Sequence, residues 1–227
     1  MATVLAFDVY GTLIDTHGVV VELETLLAGK GRVELAGEFS RRWREKQLEY
    51  SFRRGLMGAY APFSQCTREA LVYIDHALQT GLSEIDLDHL MSVYAKLPAF
   101  PEAAPALASL TANGVRCVAF SNGTAEAVNG LLDKAGLRGH FEQVISVDEV
   151  KRFKPDPVVY AHLRQRLDVE PGDTWLVSSN AFDVIGARHA GLHAAWVRRA
   201  PEAPFDPWGI EPDLTVTELT ALAERIS

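Results

Sequence analysis

Cysteine is scarce in this sequence of 227 residues, in which Cys66 and Cys117 are the two present. They stand far apart and form no Cys-x-x-Cys pair, so the sequence contains neither a disulfide framework nor the ligand spacing of a structural zinc site. We interpret both as reduced, buried thiols. A hydrophobic fraction of 48% fits a globular protein with a sizeable core.

Long apolar segments are also missing. No apolar run approaches the roughly 20 residues that a membrane-spanning helix needs. The first residues lack the basic start and the small-residue cleavage site of a signal peptide. We therefore expect a cytoplasmic protein with no membrane partner, and the net charge of −8 argues against a general affinity for nucleic acid.

The first segment of the chain is its most informative one. Ala2 to Phe7 is a short apolar run that predicts a strand buried on both faces. Asp8 follows at the end of this strand, and Gly11-Thr12 predict a turn. An aspartate in this place can serve as a nucleophile, a metal ligand or a general base, or it can cap the next element.

The rest of the chain falls into two parts of different pattern. Residues 15–96 contain helix-like apolar spacings and no convincing strand, whereas strands and helices alternate from residue 97 onward. The predicted strands of this second part are Val115–Phe120, Gln143–Val147, Thr174–Val177 and His193–Val197. We therefore predict an α/β protein, with a Rossmann-like parallel sheet core formed by residues 1–14 and 97–227. A helical cap of residues 15–96 is inserted in it.

Polar side chains follow each of the first four predicted strands. They are Asp8, Ser121-Asn122-Gly123, Lys154, and Ser178-Ser179-Asn180 with Asp183. Each group alone is explained equally well by helix capping or by an ordinary helix start. Because the carboxyl ends of parallel strands lie on one edge of the sheet, together they predict a site.

These segments resemble the four motifs of the haloacid dehalogenase superfamily, and the resemblance covers the whole chain. They are Phe7-Asp8-Val9-Tyr10-Gly11-Thr12, Ser121-Asn122-Gly123, Phe153-Lys154-Pro155 and Ser178-Ser179-Asn180-Ala181-Phe182-Asp183. Most members of that superfamily are magnesium-dependent phosphatases, which carry two further aspartates at the positions of Tyr10 and Ser179 here. Without these carboxylates the residues are poor ligands for Mg²⁺. A halide leaving group needs no proton, so the missing acid is no loss in a dehalogenase.

A further segment narrows the resemblance to the L-2-haloacid dehalogenases. Trp43-Arg44-Glu45-Lys46-Gln47-Leu48-Glu49-Tyr50 is similar to the cap segment that places an arginine against the departing halide. Glu45 stands where that subfamily usually has glutamine, and Phe182 where some members have tryptophan. From the residues alone, Arg44 equally fits the exposed face of a helix with mixed charges.

The resemblance implies an (S)-2-haloacid dehalogenase that converts short 2-haloalkanoates to (R)-2-hydroxyalkanoates through an aspartyl ester, without a metal or other cofactor, as a homodimer. It assigns catalytic roles to Asp8, Thr12, Arg44, Lys154, Ser178, Asn180 and Asp183. It places the substrate against Tyr10, Leu48, Phe63, Ser121, Asn122 and Phe182. The alternatives are a phosphohydrolase with an atypical metal site and a binding module without enzymatic activity.

Overall fold

The computed structural model describes residues 3–226 of the chain. The chain folds as two compact units, Met1–Ile14 with Ala99–Ser227, and Asp15–Pro98. Among the described residues, no helix combines the length and the apolar character that crossing a membrane would require.

The first unit is built on a parallel sheet of six strands in the order β3-β2-β1-β4-β5-β6. The strands are β1 (Val4–Phe7), β2 (Arg116–Ser121), β3 (Val144–Ser146), β4 (Thr174–Ser178), β5 (His193–Val197) and β6 (Leu214–Val216). The predicted α/β fold with its parallel sheet is therefore confirmed. The edge strand β6 was not predicted, because three residues are too few to show a strand pattern.

Strand β1 occupies the middle of the sheet and pairs with β2 on one side and β4 on the other. All four of its side chains are fully buried, as the apolar run predicts. Ala2, which we included in the predicted strand, lies outside the described residues.

The described part of this unit also contains four α-helices, two of which begin at a side-chain N-cap. They are α5 (Ala103–Ala112), α6 (Ala125–Lys134), α7 (Pro157–Leu167) and α8 (Ala181–His189). The Thr124 side chain accepts a hydrogen bond from the backbone of α6, and Asp156 does the same for α7, so both are N-caps. Helix α5 packs on β2, α6 on β3, and α8 on β4 and β5.

The second unit is helical, with α1 (Val20–Ala28), α2 (Ala36–Met57), α3 (Phe63–Leu78) and α4 (Glu84–Tyr94). Its core contains Phe39 and Trp43 of α2, which pack edge to face with ring centroids 6.4 Å apart. Helix α2 ends at Met57 and is capped by Gly58, whose φ of +64° suits glycine. Ser83 starts α4 with a capping box.

Candidate active site

Asp8 stands at the carboxyl end of β1, where its backbone N–H continues the sheet by donating to the carbonyl of Val177 at 2.9 Å. Its carboxylate is 9% exposed and holds two unequal sets of partners. Oδ1 accepts from Lys154 Nζ at 3.1 Å, whereas Oδ2 accepts from three donors. These donors are Asn180 Nδ2 at 2.7 Å, Thr12 Oγ1 at 2.8 Å and Ser178 Oγ at 3.4 Å.

A hydrogen bond from Ser179 fixes the direction of the Thr12 hydroxyl. The backbone N–H of Ser179 donates to Thr12 Oγ1 at 2.9 Å and so occupies a lone pair of that oxygen. The Thr12 proton is then directed to Asp8, because a carboxylate oxygen can only accept. The Ser179 hydroxyl donates to the carbonyl of Gly11, whose φ of +85° forms the turn.

Lys154 is a fully buried ammonium group with a partner for each of its three protons. Nζ donates to Asp183 Oδ2 at 2.7 Å, to Asp8 Oδ1 at 3.1 Å and to the Phe120 carbonyl at 2.9 Å. Burial alone would lower the pKa of Lys154, but attraction by Asp183 and Asp8 outweighs it and holds the pKa above 10.5. Lys154 therefore balances two buried carboxylates.

Asp183 lies in the first turn of α8 and is completely buried. Oδ2 accepts from Lys154, and Oδ1 accepts from the hydroxyl of Tyr160 at 2.7 Å. Burial raises the pKa of Asp183, and the charge of Asp8 adds to the rise, while Lys154 and Tyr160 oppose it. The four acceptor sites of a carboxylate leave Asp183 able to bind a water as well.

Ser121 is the last residue of β2 and Asn122 follows it, and both are buried. The Ser121 hydroxyl accepts from the backbone N–H of Gly123 at 3.1 Å. Asn122 Oδ1 accepts from the backbone N–H of Lys154 at 3.0 Å, so the acceptor side of this amide is fixed and Nδ2 is its donor side.

Tyr10 and Phe182 are half-buried aromatic residues near Asp8 ligands in the sequence. Tyr10 lies in the turn after β1, two residues before Thr12, and Phe182 lies in the first turn of α8, two residues after Asn180. The carbonyl of Tyr10 accepts from Asn180 Nδ2 at 3.3 Å. A Cβ on Gly123 would lie 3.3 Å from the Tyr10 ring, so this glycine lets the ring approach the loop after β2. The first unit thus brings the predicted residues of four strand ends into one edge of the sheet.

Arg44, Leu48 and Phe63 belong to the helical unit. Arg44 is half-buried on α2 and donates through Nη1 to Gln47 Oε1 at 2.6 Å. Leu48 is half-buried one turn further along the same helix, and Phe63 is the buried first residue of α3.

Comparisons with known proteins match the chain to one family. Residues 2–191 match the haloacid dehalogenase-like hydrolases. The haloacetate dehalogenase H-2 of Moraxella sp. (strain B) is 37% identical, over 98% of this chain and 97% of that protein. The (S)-2-haloacid dehalogenase of Pseudomonas sp. (strain YL) is 37% identical, over 97% of this chain and 92% of that protein.

A solved structure gives the same result. The L-2-haloacid dehalogenase from Xanthobacter autotrophicus with chloropropionic acid covalently bound is 34% identical and has a TM-score of 0.90. The match covers 100% of this chain and 98% of that one. The chain belongs to the haloacid dehalogenase-like hydrolases. Its relatives within this family include L-2-haloacid dehalogenases, and the predicted family is confirmed.

This haloacid dehalogenase-like hydrolase differs from the phosphatases of its superfamily in the residues beside Asp8. Tyr10 and Ser179 occupy the two positions where the phosphatases carry further aspartates. Within residues 3–226, no group of three or more histidine, cysteine, aspartate or glutamate side chains is arranged to hold a metal ion. The residues present are therefore a poor fit to Mg²⁺, which prefers several oxygen ligands with carboxylates among them.

Sequence reasoning missed two contributions to this dehalogenase-like site. Tyr160 of α7 reaches Asp183 because Gly186 of α8 lacks a side chain, and a Cβ there would lie 2.5 Å from the Tyr160 hydroxyl. In the sequence Tyr160 looks like a core residue of an amphipathic helix. Arg199, which follows β5, donates to the Thr12 carbonyl and to Glu102. It lies far from every motif in the sequence.

Proposed function

We propose that the chain is an (S)-2-haloacid dehalogenase, which hydrolyses short 2-haloalkanoates to (R)-2-hydroxyalkanoates and halide through an aspartyl ester. The observation that carries this proposal is the environment of Asp8, a carboxylate beside a buried lysine in a site without the phosphatase aspartates. The similarity to a dehalogenase structure with covalently bound chloropropionic acid supports a covalent route.

Oδ1 of Asp8 is the attacking atom in this proposal. Three donors hold Oδ2, whereas Lys154 is the partner of Oδ1, so Oδ1 keeps more of its lone-pair capacity for the carbon. Its attack forms the carbon–oxygen bond as the carbon–halogen bond breaks, and the halide leaves with the bonding electron pair. Attack in line with the leaving group inverts the carbon.

The donors on Oδ2 have a second use when water hydrolyses the ester. Oδ2 is then the carbonyl oxygen, and negative charge collects on it as water adds to the carboxyl carbon of Asp8. Thr12, Asn180 and Ser178 already point hydrogen-bond donors at that oxygen, as an oxyanion hole requires. Asp183 takes one proton from the water and gives it to the substrate oxygen as the bond between that oxygen and the carboxyl carbon of Asp8 breaks. The hydroxy acid leaves with an oxygen from Asp8, and the regenerated carboxyl of Asp8 releases the second water proton to solvent.

The remaining residues bind the substrate in this proposal. Ser121, the Nδ2 group of Asn122 and nearby backbone N–H groups bind its carboxylate, while the buried Thr12 hydroxyl serves Asp8. Arg44 and Asn122 stabilise the halide as it leaves. The apolar wall around the carbon chain consists of Tyr10, Leu48, Phe63 and Phe182.

Other parts of the proposal concern the whole molecule. The unit Met1–Ile14 with Ala99–Ser227 is the catalytic core, and Asp15–Pro98 is its cap. We propose that the reaction needs no cofactor and that the protein is cytoplasmic and forms a homodimer. Light scattering coupled to size-exclusion chromatography measures the assembly, and a monomer at micromolar concentration contradicts the dimer.

Halide release tests the activity directly. After dialysis against EDTA, the enzyme is incubated with both enantiomers of 2-chloropropionate and of 2-bromopropionate, with and without added Mg²⁺. We expect release from the (S) enantiomers, (R)-lactate as the product, and no gain from magnesium. A strict magnesium requirement together with hydrolysis of p-nitrophenyl phosphate would favour the phosphohydrolase, and no turnover of any substrate would favour a binding module.

A further inference from the structure

We propose that Gln47 is a positioning residue for halide displacement and acts through Arg44. The proposal rests on the function proposed above, in which Arg44 stabilises the leaving halide. Gln47 stands three residues after Arg44 on α2, so the two side chains share a face of the helix. Gln47 is completely buried, which is unusual for glutamine unless its amide is hydrogen-bonded.

The hydrogen bonds around Gln47 fix which way its amide points. The Thr67 hydroxyl donates to the Phe63 carbonyl at 2.9 Å, so it accepts from Gln47 Nε2 at 2.5 Å. Oε1 then faces the opposite side, where it accepts from Arg44 Nη1 at 2.6 Å and from the Tyr94 hydroxyl at 3.1 Å. Reversing the amide would place its NH₂ group against the Arg44 guanidinium, which can only donate.

These contacts attach the Arg44 side chain to a rigid frame. Gln47 lies on α2, Thr67 on α3 and Tyr94 on α4, so one buried amide connects three helices of the cap unit. A free arginine side chain has many rotamers, and fixing one of them costs about 2 kcal/mol of conformational free energy. Holding Nη1 in place before the substrate arrives removes part of that cost from the reaction.

The chemical type of the acceptor that contacts Arg44 also matters for this role. Arg41, Arg42 and Arg53 of the same helix pair with the carboxylates of glutamates along its surface. The acceptor that Gln47 offers to Arg44 is a neutral amide oxygen, which orients the guanidinium without cancelling its charge. Gln47 thereby positions the guanidinium of Arg44 without placing a negative charge beside it.

The first test replaces Gln47 by methionine, which has a similar length and cannot hydrogen-bond in this way. We expect kcat to fall by roughly 10- to 100-fold, the range expected for losing a hydrogen bond to a charged group. The loss should be larger for 2-chloropropionate than for 2-bromopropionate, because chloride is the smaller ion and the poorer leaving group. A general disturbance of the fold would lower both rates by the same factor.

Two further variants serve as controls. Gln65→Met makes the same change at an exposed site of α3 and should leave both rates unchanged. Gln47→Glu keeps the shape of the side chain but places a negatively charged carboxylate next to the Arg44 guanidinium. It should also lose more activity with the chloride substrate, and it keeps the proposal testable if the methionine variant does not fold.

A double-mutant cycle with Arg44→Lys decides whether Gln47 works through Arg44. We expect Gln47→Met to have little further effect in the Arg44→Lys background, since coupled residues give non-additive losses. Additive losses with an unchanged ratio of chloride to bromide rates would overturn the role of Gln47 and leave the dehalogenase intact. Absence of halide release by the wild-type enzyme would overturn the proposed function and this proposal with it.

Discussion

The Nζ atom of Lys154 lies 2.7 Å from Oδ2 of Asp183, and neither side chain has more than 2% of its surface exposed. Asp8 joins this pair at 3.1 Å, so the cluster holds two carboxylates and one ammonium group. Charges removed from water in this way are tolerated when they are paired and hydrogen-bonded. The binding of an anionic substrate next to Asp8 therefore requires that Lys154 stays protonated, because its positive charge offsets the two carboxylates.

Replacing Lys154 by methionine should cost both stability and activity. The change leaves Asp8 and Asp183 buried without their cation, which typically destabilises a protein by about 3–5 kcal/mol. Urea unfolding measures the stability, and the rate of halide release at saturating substrate measures the activity. Lys151→Met is the matched control, because Lys151 is exposed and forms a surface pair with Asp148. Activity of Lys154→Met within twofold of wild type would contradict this account.

Tyr160→Phe should move the acid limb of the pH profile to higher pH. Burial already raises the pKa of Asp183 above 3.8, and the Tyr160 hydroxyl counteracts this by donating to the carboxylate. Without that donor the pKa of Asp183 rises further, and the ionised form that accepts a proton from water is lost earlier on acidification. The measurement is log kcat/KM against pH, with Tyr73→Phe on α3 as the control. An unshifted acid limb would remove Asp183 from the proton transfer.

The raised pKa of Asp183 also affects how the free energy of unfolding depends on pH. A carboxyl group with a raised pKa in the folded state favours folding at low pH, and this contribution disappears as pH rises through the folded-state pKa. The penalty of Tyr160→Phe should therefore be larger at pH 7 than below pH 3.8, where Asp183 is protonated in both states. Urea titrations at the two pH values compare the free energies of unfolding.

Gly186→Ala should destabilise the protein, because the new Cβ would lie 2.5 Å from the Tyr160 hydroxyl and 2.6 Å from Pro155 Cβ. Overpacking of this kind costs about 1–3 kcal/mol. Gly130→Ala is the matched control in the interior of α6, where the added Cβ would meet no described heavy atom within 4 Å beyond its own helix backbone and chain neighbours. It should stabilise the protein by up to about 1 kcal/mol through helix propensity. Thermal unfolding of both variants gives the comparison.

Arg44→Lys tests the halide role assigned from the resemblance. A planar guanidinium is replaced by a point charge of different reach, so halide release should fall by roughly 10-fold or more. Arg53→Lys makes the same change at an exposed position of α2, in a surface pair with Glu49, and should have little effect. Equal and mild losses in both variants would assign Arg44 to the charged surface of the helix.

The proximity of Asp8, Lys154 and Asp183 could be predicted from the topology of the sheet. In a parallel sheet every strand ends on the same edge, so Asp8, Lys154 and Asp183 could be brought together from widely separated positions. Their hydrogen bonds then follow from charge and burial. The sequence did not reveal that Oδ1 and Oδ2 of Asp8 have different partners, since this depends on side-chain geometry within fractions of an ångström.

Residues that reach the site across a helix could not be predicted in this way. Tyr160 contacts Asp183 only because α7 and α8 pack closely at Gly186, and helix packing is not visible in a single sequence. Gln47 appeared in the sequence only as part of the segment around Arg44. Its three hydrogen bonds come from residues on different helices, which local periodicity does not relate.

The central claim is that Asp8 itself bonds to the substrate carbon. Its rival is direct attack by a water that Asp183 activates, and both routes give the same inverted product. Replacing Asp8 by asparagine should abolish turnover under either route if the site needs the charge, so that variant does not separate them. Isotope labelling does.

A single turnover in H₂¹⁸O with excess enzyme is the most direct measurement. Attack by Asp8 forms an ester that water hydrolyses at the carboxyl carbon, so the label enters the protein and the first product carries an unlabelled oxygen from Asp8. Mass spectrometry should therefore find the label on the peptide that contains Asp8 and none in the first-turnover hydroxy acid. Label in that product, with none on the peptide, would contradict the role of Asp8 as nucleophile.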